Sequence, residues 1–302
     1  MRARARSRWQ GYLWQENKGR VMRVFVLTVV TMVAFAANSV LNRVAIVDGG
    51  MDATVFGAIR LVAGAVMLAA LVVVQRKGFA LGGPVRAIGV ASLLTYIFGF
   101  SLAYQALDAG IGALVLFGVV QVTMFLVAVL RGEDVPSRRF LGAGIAAVGL
   151  VWLLWPSETL QLPLGSVVAM AVAGVGWGIY SLAGQGAKDA TQSTAMNFIL
   201  AAPFGLLALL FVTDMGVITP LGIIMAVISG AVTSGLGYAL WYAVLPSLGA
   251  SRAAVAQLTV PVIAMAGGML FLSEALTLRF VLSSVLVLGG VWVSTSGGKR
   301  KS

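Results

Sequence analysis

Apolar runs near twenty residues recur along the whole chain, separated by short polar corners. Each run is long enough to cross about 30 Å of hydrocarbon as a helix. Ten spans follow from the pattern, roughly at 24–46, 53–74, 86–107, 110–130, 138–155, 164–186, 194–212, 219–243, 250–271 and 277–296. Period-2 alternation is absent, which argues against a transmembrane β-barrel. The corners hold turn formers: Asp48-Gly49-Gly50, Gly82-Gly83-Pro84, Pro156-Ser157 and Pro246-Ser247. Residues 1–23 are polar and basic. The apolar run behind them is too long for a signal-peptide core and lacks a clear small-residue cleavage site, so it reads as an uncleaved first span. Trp9, Tyr12 and Trp14 sit among arginines. That suits a tail lying on anionic headgroups, the other reading being a disordered tail.

Composition sharpens this. The chain has 302 residues, 60% of them apolar and 10% charged, against about 45–50% and about 25% in soluble domains. A polytopic membrane protein without a soluble domain is the expectation. There is no His and no Cys, so thiol nucleophiles, His-centred triads, HExxH sites and His-bearing zinc sites cannot be built. No nucleotide-binding GxxxxGK[ST] occurs. Neither a cofactor, a metal nor an enzymatic activity is expected.

The net charge of +11 is distributed unevenly. With the N-terminus placed in the cytoplasm, the inner segments hold Arg2, Arg4, Arg6, Arg8, Lys18, Arg20, Arg23, Arg76, Lys77, Arg86, Arg131, Arg138, Arg139, Lys188, Arg252, Lys299, Arg300 and Lys301, which is 18 of 21 basic residues. The outer segments hold Arg43 and Arg279, and Arg60 lies inside a span. This is a positive-inside signal. It accounts for the charge without nucleic acid and predicts an inner-membrane, multi-pass protein with both termini cytoplasmic.

The chain also repeats itself at an offset of about 140 residues. Leu130-Arg131-Gly132-Glu133, then Arg139-Phe140 and Gly149-Leu150-Val151-Trp152, is echoed by Leu272-Ser273-Glu274, Arg279-Phe280 and Gly289-Gly290-Val291-Trp292; Tyr104 with Leu107 matches Tyr242 with Leu245. Each unit holds five helices. Five is odd, so the second copy is inverted. The predicted fold is an all-α membrane protein of ten transmembrane helices, arranged as two inverted five-helix repeats around a central cavity. Its parts are a basic tail (1–23), a first repeat (24–155), a second repeat (164–296) and a short tail (297–302). Inverted repeats are the architecture of alternating-access transporters, the other reading being a duplicated fold without transport.

The stretch 243–293, AVLPSLGASRAAVAQLTVPVIAMAGGMLFLSEALTLRFVLSSVLVLGGVWV, resembles the repeat unit of the drug/metabolite transporter superfamily, EamA type. It carries an Ala-rich helix start, the mid-helix Pro261, Glu274 at the next corner and a Gly-rich last helix. The first half has Glu133 but no proline matching Pro261. The resemblance implies a basket of helices around a central cavity and export of amino acids or related metabolites, as in YddG-like amino-acid exporters.

Arg60 is the sharpest candidate for binding. It lies about 10 Å inside its helix at 1.5 Å per residue, where a charge is costly unless it faces water or a counter-charge. It would hold a substrate carboxylate, or else pair with Asp48, Asp52 or Asp108. Asn38 and Asn42 share a helix face. Gln121, Trp177, Tyr180, Asn197 and Gln257 add polar groups within spans, each as a substrate contact or as interhelical glue. Tyr96, Tyr104, Tyr238, Trp241 and Tyr242 suit an aromatic path, whereas Trp152, Trp155 and Trp292 suit an interfacial belt. Gly174 and Gly178 mark close helix packing, and Pro261 a hinge or a fixed kink.

All ten acids fall at corners or tails, which leaves no proton carrier in a span and favours facilitated export. The expected function is export of amino acids, aromatic or apolar ones among them, or related metabolites. The alternatives are a multidrug exporter of lipophilic compounds and a non-transport channel or scaffold. Expected partners are a small-molecule substrate and membrane lipids, with the chain a monomer or weak dimer.

Overall fold

The computed structural model describes residues 2–132, 136–155, 162–184 and 187–295, without the side chains of 2–20, 249–252 and 254. The side chains of Trp9, Tyr12, Trp14 and Arg252, the acids Glu133, Asp134 and Glu158, the pair Pro156-Ser157 and the tail 297–302 lie outside the described residues.

Eleven α-helices make up the described residues: α1 (Arg2–Arg43), α2 (Ala53–Val74), α3 (Val85–Ala103), α4 (Ala109–Leu130), α5 (Ser137–Leu154), α6 (Leu164–Gly184), α7 (Ala190–Ala208), α8 (Pro220–Ile228), α9 (Gly237–Gln257), α10 (Thr259–Leu272) and α11 (Leu278–Thr295). A π-helical run, Ser229–Leu236, fuses α8 to α9. Among the described residues ten helical segments are long and apolar enough to span a membrane. The apolar residues that ring the outside, Val66, Val151, Phe204 and Val285 among them, are exposed, as lipid-facing side chains should be.

Each half begins where the previous span ends, so α1 starts on one face and α6 on the other. We call the face of Arg76, Lys77, Arg131 and Lys188 the basic face, and that of Asp48, Asp52, Asp108 and Asp214 the acidic face. Helix packing follows a pseudo-twofold. α3 and α4 of the first half pack on α6; their counterparts, the α8–α9 unit and α10, pack on α1. α2 packs on α7 and α5 on α11, each pair mapping onto itself. A Cβ on Gly142 would lie 2.4 Å from the Gly290 carbonyl, and one on Gly290 2.5 Å from the Gly142 carbonyl. Only glycine lets these two backbones touch.

Two prolines behave differently from expectation. Pro246 does not terminate a span; it is carried inside α9, where it removes only the bond to the carbonyl four residues back. Pro261 sits in the first turn of α10. It has no N–H for the Gln257 carbonyl, and the helical run breaks at Leu258 between α9 and α10. The third span also ends early, at Ala103, because Tyr104–Leu107 turns the chain.

Candidate functional site

The deepest polar cluster lies where the two halves meet. Asp52 caps α2, accepting from Thr54 N (2.7 Å) and Val55 N (3.1 Å), and two turns further in stands Arg60, fully buried. Its Nε donates to Ser234 Oγ at 3.0 Å, and its Nη2 to the Tyr96 hydroxyl at 3.1 Å and the Tyr238 hydroxyl at 3.3 Å. The guanidinium carbon lies 5.3 Å from the Tyr96 ring centre and 5.2 Å from that of Phe100, a cation–π arrangement. Nη1 has no hydrogen-bond partner among the described residues.

The π-helical run supplies the other half of this cluster. Its wide turn brings Ser229, Thr233 and Ser234 to one acceptor, Asn38 Oδ1, at 2.8, 2.6 and 3.4 Å. Such single-turn widenings commonly mark functional sites. Gly230 allows the approach: a Cβ there would meet the Arg60 carbonyl at 2.2 Å. Asn42 continues the α1 face, donating to the Asn38 carbonyl at 3.2 Å while its buried Oδ1 accepts from nothing.

Rings enclose the rest. Trp177 lies 4.9 Å from both Tyr96 and Tyr238 and stacks on Tyr180 at 5.6 Å; Phe35 meets Trp177, Tyr238 and Trp241 edge-on. Trp177 Nε1 is buried without a partner. Among these rings is a chamber of about 10 Å³, lined by Phe35, Asn38, Tyr96, Phe100, Trp177 and Tyr238 among others.

The two faces differ in access. On the acidic face, Arg43 reaches Glu274 (Nε–Oε1 3.2 Å), Asp108 (3.5 Å) and the Tyr104 carbonyl (3.4 Å). Glu274, its side chain 3% exposed, also accepts from Ala109 N at 2.9 Å. Burial, Asp108 and the opposing pull of Ala109 N and Arg43 leave its carboxyl above the usual range, burial being the largest influence. Met51 and Gly216 pair through their backbones nearby. On the basic face a cavity of about 940 Å³ opens between the ends of α3, α4, α6 and α7, with Arg86, Arg131, Lys188, Gln192 and Asn197 in its walls. Arg86 donates to Asn197 Oδ1 at 2.7 Å, and Asn197 Nδ2 to the Tyr180 hydroxyl at 3.4 Å. Asn197, Tyr180 and Trp177 therefore stand between cavity and chamber. An apolar groove of about 630 Å³ between α1 and the α9–α10 region, lined by Val21, Phe25, Met32 and Ile263, has none of this chemistry.

Residues 164–296 match the EamA-like transporter family. An uncharacterised protein of Pseudomonas aeruginosa is 44% identical over 271 residues, which is 89% of this chain and 93% of that one. The chain belongs to the EamA-like transporter family. A probable amino-acid metabolite efflux pump of Salmonella typhimurium is similar at 24% identity over 67% of this chain and 72% of its own. A crystal structure at 18% identity superposes with a TM-score of 0.67, covering 90% of this chain and 98% of that one. It supports the fold alone.

The sequence-derived candidates divide within this family frame. Asn38, Trp177 and Tyr238 line the chamber; Arg60 bonds to Tyr96 and Tyr238 of its wall, Tyr180 and Trp241 pack behind Trp177 and Phe35, and Asn42 lies one turn along α1 from Asn38. Tyr104 is buried beside it, bonded to Ser39 Oγ (2.8 Å) and the Ala109 carbonyl (3.2 Å). Gln121 is half-buried and Gln257 buried, and neither lines the chamber. Gly174 and Gly178 face α4: a Cβ would meet Val119 Cβ at 2.8 Å and Thr123 Cβ at 3.0 Å, which is the packing role. The expected acid partners of Arg60 are not there. Asp52 is spent on its cap and Asp108 on Arg43; Asp48 makes no ion pair among the described residues. Ser229, Thr233, Phe35 and Phe100 were not singled out from sequence.

Proposed function

We propose that this EamA-family chain exports amino acids or related small carboxylate metabolites by alternating access, with the basic face in the cytoplasm of an inner membrane. The observation that carries the reading is Arg60: a fully buried guanidinium between the halves with no acid beside it among the described residues. A charge so placed is costly in hydrocarbon and suits an arriving carboxylate. Asn42 Oδ1, a buried unpartnered acceptor one turn along α1 from Asn38, would complement an ammonium group. The rings around the chamber favour apolar or aromatic side chains. The basic cavity, with a volume in the usual range for small-molecule sites, collects anions by its field. A fixed positive charge beside the chamber weighs against lipophilic cations as substrates.

The test is counterflow in liposomes. Saturable, trans-stimulated flux of an amino acid or small carboxylate, lost with Arg60→Gln in folded protein, is the expected result. Flux confined to lipophilic cations would replace this reading with multidrug export, and unsaturable flux would replace it with a channel.

A further inference from the structure

We propose that the chamber beside Arg60 is a binding site for a small monovalent anion of about chloride's size, and that a substrate carboxylate competes with this anion for the guanidinium. The competition clause rests on the transport reading above; the anion site does not.

Three observations converge. First, Arg60 is fully buried, and the ion pairs among the described residues are Arg43–Asp108, Arg43–Glu274 and Lys77–Asp189. Its positive charge is met by neutral groups, the hydroxyls of Ser234, Tyr96 and Tyr238 and the rings of Tyr96 and Phe100. Buried charges are ordinarily paired. Second, donors are in surplus here. Arg60 Nη1 and Trp177 Nε1 are buried and unused. Tyr96 and Tyr238 each accept from Nη2. Asn38 Nδ2 has only a long 3.4 Å bond to the Ala34 carbonyl. The group that satisfies such a set is an acceptor with negative charge. Third, the chamber's size is selective. At about 10 Å³ it is at the lower limit for one water, so it excludes an amino acid unless the rings part, and a halide, somewhat larger than water, needs only a small give of the same rings. Tyr96, Phe100 and Tyr238, which touch the guanidinium, are the same rings that line it.

A consequence for transport follows. Closing the chamber around a bare guanidinium is disfavoured, whereas closing it around an anion or carboxylate is not. The carrier should cycle loaded in both directions, so exchange outruns net efflux.

The experiment uses the full chain in detergent or nanodiscs, with chloride exchanged for isethionate at constant ionic strength. The unfolding midpoint should rise saturably with chloride and bromide but not with isethionate. The rise should be lost in Arg60→Gln and kept in Arg139→Gln, an exposed control. Should Arg60→Gln fail to fold, Trp177→Phe keeps the ring and removes one donor. It should raise the half-saturating chloride concentration about five- to tenfold. A chloride response identical to isethionate's, or one unchanged by both Arg60→Gln and Trp177→Phe, overturns the site. Saturable chloride binding that no transported carboxylate displaces supports the site and removes the competition. Carboxylate flux indifferent to chloride overturns the competition and leaves the transport reading standing.

Discussion

Replacing Arg43 by Gln should open the acidic face. Arg43 is the cation that holds Glu274, whose side chain is 3% exposed and otherwise held only by the Ala109 amide. Breaking a buried pair from one side costs about 3–5 kcal/mol. The carboxyl has an escape, because it can take up a proton. From its ordinary value of 4.5, protonation at about pH 7 limits the cost to roughly 3.4 kcal/mol. The Asp108 contact adds little, being 3.5 Å long with an acid that is 40% exposed. About 3 kcal/mol against the closed arrangement is a shift of roughly 100-fold in its population. The chain has no cysteine, so Ser39→Cys, behind this closure and beside the chamber, gives a background-free reporter. An impermeant maleimide should label it about 100-fold faster in Arg43→Gln. The double variant Arg43→Gln/Glu274→Gln leaves no stranded charge and should label near the starting rate. An unchanged rate in the single variant, or a double as fast as the single, would mean that the Arg43–Glu274 pair does not hold this face closed.

Three further outcomes are expected. Burial holds the Glu274 carboxyl above its ordinary 4.5, so ionising it costs folded-state stability that is absent below that pH and complete above the raised value; the melting temperature of the wild type should therefore fall relative to Glu274→Gln as pH rises from about 4.5 to about 7, and a rise would contradict the burial argument. Gly142→Ala places a Cβ 2.4 Å from the Gly290 carbonyl and should cost about 1–3 kcal/mol as overpacking, read by thermal unfolding, whereas Gly144→Ala, with nothing within 4 Å, should be near neutral. Asp189 caps α7 through Gln192 N (2.9 Å) and binds Lys77 (2.6 Å); Asp189→Ala should cost about 1 kcal/mol in chemical denaturation, and no loss would remove the cap from the account of that corner.

The fold was legible because membrane burial is written in continuous stretches. Spans such as Ala53–Val74 and Leu164–Gly184 begin within a residue of where the apolar runs begin. The inversion was legible from an odd number of helices per repeat. What sequence misjudged was local backbone chemistry. Pro246 looked like punctuation, yet a helix interior accommodates it at the loss of one bond. Nothing in the composition of Ser229–Leu236 announces a π-helical turn that brings three hydroxyls to Asn38. Long-range pairing was equally hidden. Asp48 and Asp52 are near Arg60 in sequence, but Asp52 answers the amides of its own helix. Glu274 sits at a corner, where solvent is the natural assumption, yet 231 residues separate it from the Arg43 that buries it. The meeting of Asn38, Arg60, Trp177 and Tyr238 required the packing of both halves; only Arg60, costly wherever it went, declared itself alone.

The most direct test of a carrier built from two rocking, inverted halves is a pair of spin-label distances. Labels at Gln105→Cys and Leu276→Cys bridge the halves on the acidic face, and labels at Leu130→Cys and Lys188→Cys bridge them on the basic face. On adding a solute that shows counterflow, one distance should lengthen while the other shortens. Distances that both stay fixed, or that lengthen together, would contradict alternating access around Arg60.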